Sequence, residues 1–556
     1  MHWRGYVHRQ QSSPTRYEPD PEPSAENVQN AFVGHALSAF NNLRKVFVYA
    51  GYGTIVLALV TATAFEGAHF WIERQMRAVH DEDAEQWGWQ PESWTGSDAD
   101  GTSPALGFFG RHAVRAAWFS QRYGTCLGGT TAISQVHGSR DTGSLNVVES
   151  SLESTRVYLE TAMMRVRDEH GRVRDDRVGL DLLERHAAVL ERIGSREALV
   201  NARDEYRQVF QGSSGRRIAE ARLAVKLGDL SERLGDSEDA LSWWAQGIQL
   251  TKDCVSMNAA SAGSQSQPAA QGTVTSAILA WTRSKDHRSS DPESILDKLI
   301  LPAHPPSDPA AQRTLAAAML SLSAYYSKRK LLSAAKYVQE RAISLIEAMV
   351  PTLDASVAPV AQSPGQTLHQ LYLLHRKSVL AIHHGEVTFS LASDSIQRGA
   401  PPFAAPLTEL VIAASSSEVV AQVLTGLSLS HPDIPSSYLR SNEKSTAVTR
   451  VLPPPSPNAA LLPMFQDSAL SATAGSLLRD ARLTAVEAWD LCGVLYSDWG
   501  KEETGIKALE CFERALGWAG EPGNGSRNGM GVNAWQSLWE RFVEARRKVI
   551  KERPLA

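Results

Sequence analysis

The chain has 556 residues, of which 43% are hydrophobic and 21% are charged, and its formal net charge is −5. This globular composition excludes a wholly disordered chain, a collagen and a transporter with many membrane spans. A sequence pI of about 6.4 argues against a dedicated nucleic-acid binder, and four cysteines are too few for a disulfide scaffold.

The N-terminal residues 1–45 are predicted to be a basic tail. The first seventeen residues contain Arg4, Arg9 and Arg16 but no acid, which is typical of a mitochondrial targeting segment. The excess of basic residues on this side of the following apolar run places the tail in the matrix or the cytosol. We expect the mitochondrial inner membrane, with the C-terminal domain in the intermembrane space; another organelle membrane is the alternative.

A single transmembrane helix is predicted over residues 46–66. Residues 46–65 carry no charge, and twenty residues at about 1.5 Å each match the thickness of about 30 Å of a bilayer's hydrocarbon core. Lys45 precedes this run and Glu66 follows it. A buried helix in the core of a soluble domain is the alternative.

Small residues recur every four positions along this helix and predict a packing face for membrane-embedded partner helices. The face consists of Ala50, Thr54, Ala58 and Ala62. The alternative is that alanine and threonine are simply common in membrane spans.

Residues 67–145 form a juxtamembrane segment that is rich in tryptophan. Trp87, Trp89 and Trp94 fall within eight residues of an otherwise polar and acidic stretch. Such tryptophans predict a structured cap, or a surface packed on the membrane interface or on a partner. Packing against the helical domain that follows is the alternative, and the sequence leaves both open.

Three later helix pairs share one pattern of small and large residues. The residues that fit the pattern are Leu227, Gly228, Gly235, Ala240 and Trp244 in the first pair, Leu322, Tyr326, Ala335 and Ala342 in the second, and Trp489, Gly493, Tyr496, Ala508, Phe512 and Ala515 in the third. A small residue on each helix lets an antiparallel pair approach closely, and large residues fill the gaps. In this pattern the chain resembles tetratricopeptide repeat (TPR) proteins.

The predicted fold class is therefore all-α: a single N-terminal transmembrane helix followed by a TPR-like α-solenoid of antiparallel helix pairs with long disordered inserts. We expect TPR-like helical repeats over residues 146–350. A helical repeat region with Pro/Ser-rich inserts follows over residues 351–475, and a C-terminal TPR-like repeat over residues 476–550. Among the inserts predicted from composition is the Pro-rich stretch of residues 301–312.

The sequence offers no motif for catalysis. It lacks GxxxxGK[ST], GxGxxG after a strand, HExxH, GxSxG and CxxC. His383 and His384 are adjacent and point to different helix faces, so they are not expected to share a metal. We predict no enzyme, no catalytic, cofactor-binding or metal residue, and neither nucleic acid nor a small-molecule substrate as partner. A disulfide between Cys492 and Cys511 stays open.

Protein binding is the favoured function, because helical repeats form an extended concave groove that binds peptides or unfolded segments. Trp243 or Trp244, together with Tyr326 and Tyr337, are candidates for aromatic contacts in such a groove. The alternative places these side chains in the core between the helices.

One membrane span followed by degenerate TPRs with Ser/Pro/Ala-rich inserts resembles the fungal TPR-containing adaptor subunit of the mitochondrial inner-membrane i-AAA protease. This resemblance implies an adaptor that recruits unfolded or membrane-protein substrates to the protease for quality control. It also implies that the small-residue face of the span docks partner transmembrane helices. A TPR assembly factor for a respiratory complex and a mitochondrial import receptor are the alternatives.

Overall fold

The computed structural model describes residues 25–77, 81–89, 94–95, 101–124, 131–133, 147–167, 176–213, 215–260, 301–350, 363–393, 403–426, 461–465, 470–499, 502–520 and 532–552. These residues are almost all helical, which confirms the all-α prediction. Two three-residue strands, β1 (Thr131–Ile133) and β2 (Val147–Glu149), pair antiparallel beside the helices. The predicted targeting segment lies outside the described residues.

The chain divides into two compact units, Met1–Trp71 and Ile72–Ala556. The described part of the first unit is one long helix, α1 (Ala25–Met76), whose last five residues belong to the second unit. At about 1.5 Å per residue, its 52 residues extend for about 78 Å. The helix therefore begins twenty-one residues before the predicted span of residues 46–66, which it contains.

Two helices of the described chain are long and apolar enough to cross a membrane, α1 and α12 (Ala404–Thr425). The most apolar window of α1 is entirely exposed, whereas 56% of the corresponding window of α12 is buried. Helix α12 packs between its neighbours in the second unit, so we interpret it as a core helix of that unit.

Fourteen helices of the second unit follow α1 in the described residues. They are α2 (Glu82–Gln86), α3 (Gly107–Tyr123), α4 (Ser150–Met163), α5 (Arg177–Ile193), α6 (Arg196–Gly212), α7 (Arg217–Leu234), α8 (Ser237–Ala260), α9 (Pro309–Lys328), α10 (Leu332–Met349), α11 (Pro364–Ser393), α12, α13 (Ser471–Asp498), α14 (Glu502–Ala519) and α15 (Val532–Glu552). Short 3₁₀ turns lie at Pro104–Leu106 and Leu462–Phe465.

Helix ends follow local sequence chemistry. The side chain of Asp308 accepts the backbone N–H of Ala311 at 2.8 Å and caps α9, whose first residue is Pro309. Gly235 ends α7 in the left-handed region with φ +92°, which a residue with a side chain rarely adopts.

Part of one predicted insert is well packed. Arg341 donates hydrogen bonds to the carbonyl oxygens of Pro302 and Ala303, both at 2.8 Å, and Pro306 is buried. The prediction of disorder for residues 301–312 is therefore wrong. Composition missed these contacts because their partner lies about forty residues further along the chain.

From α3 to α15 each helix packs against the next helix in the chain. Helices α7, α9, α11 and α13 also form a row, because α7 packs on α9, α9 on α11 and α11 on α13. The buried apolar residues form three clusters along this order, spread over α3–α7, α7–α11 and α11–α15. The core is thus distributed along the array, and neighbouring clusters share the helices α7 and α11.

Candidate functional site

The predicted packing face lies on the exposed surface of α1. Ala50, Thr54, Ala58 and Ala62 are all exposed, and no described residue covers them. Thr54 Oγ1 donates to the carbonyl oxygen of Ala50 at 2.8 Å, so the hydroxyl is satisfied within its own helix. This face is open to a partner helix, and its role in docking stays a prediction.

The first TPR-pattern pair is held by close contact between Gly228 of α7 and Trp244 of α8. A Cβ atom on Gly228 would lie 2.5 Å from both Cδ1 and Nε1 of the indole. Trp244 Nε1 donates to Asp229 Oδ1 at 3.0 Å, which fixes the ring. One turn from this contact along each helix, a Cβ atom on Gly247 would lie 3.1 Å from Val225 Cγ2, so the two helices run antiparallel.

The third TPR-pattern pair repeats this contact with different residues. A Cβ atom on Gly493 of α13 would lie 2.6 Å from Phe512 Cε1 of α14. The ammonium group of Lys507 lies 5.7 Å from the ring centroid of Tyr496, on the N-terminal side of Phe512 along α14. A glycine therefore packs under an aromatic ring in both pairs.

The other TPR-pattern residues lie mostly in the core. Those with side chains at most 6% exposed are Leu227, Ala240, Leu322, Tyr326, Ala335, Ala342, Trp489, Ala508 and Ala515. Trp244 and Tyr326 are 1% and 2% exposed, so the hypothesis that they contact a ligand in a groove is wrong and the core alternative is correct. Trp243 packs on Phe210, with ring centroids 5.2 Å apart, whereas Tyr337 is exposed.

The tryptophan-rich segment lies against the row of helices α7, α9 and α11. The part of it that contacts these helices, residues 81–89, consists of α2 and the turn Trp87-Gly88-Trp89. Ala84 and Trp89 are buried, and α2 contacts α11. Trp94 is buried in the cluster of α3–α7, with the Arg185 guanidinium 5.3 Å from its ring centroid. The described tryptophans thus pack on the helical domain, which was the alternative prediction.

Arg313 of α9 makes the central contact with this turn. Its Nη1 donates to the carbonyl oxygen of Trp87 at 3.0 Å, and its Nη2 donates to that of Gly88 at 2.7 Å. The guanidinium also lies 3.7 Å from the ring centroid of Trp89, within the range of a cation–π interaction. Arg222 of α7 reaches the carbonyl oxygen of Gly88 as well, at 3.4 Å. Two arginines therefore donate hydrogen bonds to main-chain carbonyl groups of the turn.

The turn also contacts the start of α11. The backbone N–H of Gly365 donates to Asp83 Oδ2 at 2.5 Å, and Trp89 Nε1 donates to the carbonyl oxygen of Gly365 at 3.1 Å. Gly365 is in the first turn of α11, where backbone N–H groups have no partner within the helix and attract a carboxylate. There is no room for a side chain at position 88. Gly88 has φ +62°, and a Cβ atom added to it would lie 2.9 Å from the Cβ atom of Ala310.

Burial changes the pKa values of the groups around the turn. Burial, with a smaller contribution from the nearby charge of Arg222, lowers the pKa of Arg313 to about 10, so the guanidinium stays charged near pH 7. Burial and the charge of Arg313 together lower the pKa of His369 to about 3, so this imidazole is neutral near pH 7. The Nδ1 atom of His369 lies 2.9 Å from Arg313 Nη1, and a neutral ring accepts this hydrogen bond.

A buried carboxylate joins the last turn of α1 to α3 within the second unit. Glu73 Oε1 accepts the backbone N–H of Thr102 at 2.9 Å and a hydrogen bond from Arg111 at 3.1 Å. Its Oε2 accepts hydrogen bonds from Arg115 at 2.6 Å and from the Thr102 hydroxyl at 2.7 Å. Burial raises the pKa of Glu73, but these hydrogen bonds outweigh it and the pKa is lowered. The carboxylate therefore stays ionised and holds α3.

A second buried carboxylate, Glu418 of α12, joins three helices near the C-terminus. It accepts hydrogen bonds from Trp489 Nε1 at 2.7 Å, Trp518 Nε1 at 2.9 Å and Arg514 Nη2 at 2.7 Å. Burial raises the pKa of Glu418, although Arg514 and the two indoles act against this rise. The cluster links α12, α13 and α14 and has a structural role.

The described residues contain no group of three or more His, Cys, Asp and Glu side chains able to hold a metal ion. His384 lies 3.8 Å from both Glu340 and Glu409, and burial lowers the pKa of His383. Cys492 and Cys511 are free and buried. Burial raises the pKa of Cys492 to about 12, so its thiol is not ionised near pH 7.

No protein-family model matches this sequence, and no curated protein matches it.

Sequence reasoning missed the roles of Arg313, Glu73 and Glu418, which form buried polar contacts in the second unit. Each of them contacts a residue between 29 and 226 positions away. The signal available was a single charged residue within an apolar helical stretch, as for Glu418 in VIAASSSEVVAQVL.

Proposed function

We propose that this protein is a membrane-anchored adaptor that binds other proteins through a TPR-like helical-repeat body. The observation that carries this proposal is the repeated contact of a glycine under an aromatic ring, Gly228 under Trp244 and Gly493 under Phe512. Contacts of this kind set the close helix crossing on which TPR-like pairs depend.

The order of helix contacts supports a solenoid arrangement. Each helix from α3 onward packs on the next, and α7, α9, α11 and α13 add contacts to the second helix along. In a solenoid of helix pairs, one helix of each pair lines the inner face, and these inner helices touch one another. We assign the row α7, α9, α11 and α13 to that inner face.

Helix α1 serves as the membrane anchor in this proposal. Its uncharged run of residues 46–65 is exposed over the length that a bilayer core covers. Ala50, Thr54, Ala58 and Ala62 then dock transmembrane helices of the partner complex. Guided by the family resemblance, we assign the protein to the mitochondrial inner membrane, its body to the intermembrane space, and its role to delivery of unfolded or membrane-protein clients to the i-AAA protease.

Affinity purification from detergent-solubilised membranes with mass spectrometry tests the partner. We expect an inner-membrane AAA protease in the eluate, whereas respiratory subunits in its place would support an assembly factor. Ala58→Ile adds bulk to the small-residue face and is expected to reduce recovery of the protease. Val56→Ile, two residues away and about 200° around the helix, is the matched control and should leave recovery unchanged.

Protease protection of a C-terminal tag in intact mitochondria tests the topology. We expect the tag to be protected until the outer membrane is ruptured. Cleavage of the tag while the outer membrane is intact would contradict placement of the body in the intermembrane space.

A further inference from the structure

The inner row of helices is already occupied by a segment of the same chain. The turn at Trp87-Gly88-Trp89 lies on α7, α9 and α11, the helices that a partner peptide would meet in the proposed solenoid. Helices α7, α9 and α11 contact four features of the segment. They are the carboxylate of Asp83, the consecutive carbonyl groups of residues 87 and 88, the absence of a side chain at Gly88, and the indole of Trp89.

We propose that the surface formed by α7, α9 and α11 is a peptide-binding site for a partner protein segment with an aspartate four residues before an aromatic-Gly-Trp turn, and that residues 81–89 close this site in cis. This inference rests on the proposed function, since it names the chemistry of the segment that an adaptor of this type would bind. The partner segment is acidic and aromatic, and its turn must contain glycine.

Arg313 is the residue that forms most of this site. It is only 6% exposed, and it donates to two consecutive main-chain carbonyl oxygens while its guanidinium lies over an indole. Main-chain carbonyl groups are present in every peptide, so this contact does not depend on a residue being part of the same chain. The Trp89 indole and the glycine at position 88 supply the specificity.

Most side chains of residues 81–89 remain at least partly exposed, which in this proposal lets a competing peptide replace the segment. Of residues 81–89 only Ala84 and Trp89 are buried, whereas Glu82, Glu85 and Gln86 are exposed. In the proposed open state Arg313 faces the space that the turn vacates, where water or a competing peptide takes over the hydrogen bonds that it now donates to Trp87 and Gly88. An open site carries the charges of Arg222 and Arg313 and attracts an acidic segment.

The test uses the full chain in detergent and a fluorescent peptide with the sequence of residues 81–89, DEDAEQWGW. Gly88→Ala places a Cβ atom 2.9 Å from that of Ala310 at φ +62°, which weakens the internal segment and leaves every groove residue in place. Gly475→Ala is the matched control, because nothing lies within 4 Å of its Cβ position. Trp89→Ala is a second way to release the segment.

Hydrogen exchange first reports release of the segment, at the amides of residues 87–89, whose N–H groups bond within the segment. Fluorescence anisotropy then measures peptide affinity. We expect Gly88→Ala to bind the peptide at least about tenfold more tightly than the wild type or Gly475→Ala, since a closed site lowers apparent affinity by the open fraction. Adding Arg313→Gln should remove this binding, and a peptide with alanine in place of the glycine should bind poorly.

Two results would overturn the inference. The first is fast exchange in the Gly88→Ala or Trp89→Ala protein without peptide binding, and the second is unchanged exchange in both proteins, which would make the segment a permanent part of the core. Co-purification of a protease through α1 is measured on the same membranes. Its loss with peptide binding intact would contradict the proposed partner and not the peptide site.

Discussion

Replacing Gly228 by alanine tests whether close approach of α7 and α8 stabilises the helical body. The added Cβ atom would lie 2.5 Å from Cδ1 and Nε1 of Trp244 and 2.9 Å from Cε2. These atoms belong to a rigid ring that is 1% exposed, so the ring or the helix must move. Movement of the ring also weakens the hydrogen bond from Trp244 Nε1 to the half-buried Asp229.

The expected change in the free energy of unfolding follows from three effects. Overpacking of a tight site costs about 1–3 kcal/mol, and the weakened hydrogen bond to the half-buried carboxylate of Asp229 adds about 1 kcal/mol. Alanine is a better helix former than glycine by about 1 kcal/mol, which offsets part of this cost. We therefore expect Gly228→Ala to lower the free energy of unfolding by about 2 kcal/mol.

Chemical denaturation of the full chain in detergent, followed by circular dichroism, measures this change. Gly475→Ala in α13 is the control, because its Cβ position is open and only the helix propensity changes. Trp244→Leu in the Gly228→Ala background should cost less than the sum of the two single changes, since the smaller side chain relieves the overlap. Equal stability of Gly228→Ala and Gly475→Ala would refute the reasoning.

Three further changes test the buried polar contacts. Glu418→Gln removes the charge that faces Arg514, and thermal unfolding should report a loss of about 3–5 kcal/mol, against less than about 0.5 kcal/mol for the exposed Glu540→Gln. Glu73→Gln should speed hydrogen exchange at the amide of Thr102 by at least about tenfold, and unchanged exchange would contradict the role of this carboxylate. The pKa of His369 in the folded protein, about 3, lies below its ordinary value of 6.5, so the contribution of this residue to stability is complete above pH 6.5 and declines as the pH falls toward 3. Between pH 7.5 and pH 5 this contribution falls by about 2 kcal/mol, and urea titrations of His369→Gln should show a flatter pH dependence than the wild type.

Much of the fold could be predicted from local sequence. The middle of helix α1 follows from the uncharged run of residues 46–65, although the helix extends beyond this run at both ends. Helix α7 ends at Gly235 because glycine adopts the left-handed conformation there. The close approach of α7 and α8 was also predictable, because their small and large residues follow a known pattern and a short turn joins the helices, but the particular contact of Gly228 with Trp244 was not.

The contacts of the Trp87-Gly88-Trp89 turn could not be predicted in this way. Arg313 contacts residues 87 and 88 across more than 220 positions of the chain, and no periodicity connects them. The tryptophans themselves were visible in the sequence, but their partner depends on the tertiary arrangement of α7, α9 and α11. The same limit applies to residues 301–308, where the partner Arg341 lies on a later helix.

The division of the core into three clusters determines how many helices a single substitution should destabilise. Trp244 belongs to the middle cluster, which shares α11 with the C-terminal cluster around Glu418 and Trp489. In a linear array each helix pair is stabilised mainly by its neighbours, so displacement of Trp244 affects α7–α10 first and must pass through α11 to reach α12–α14. Gly228→Ala should therefore raise hydrogen exchange in α7 and α8 and leave the amides of α13 protected. A protein with one continuous core would instead lose protection in all of these helices together.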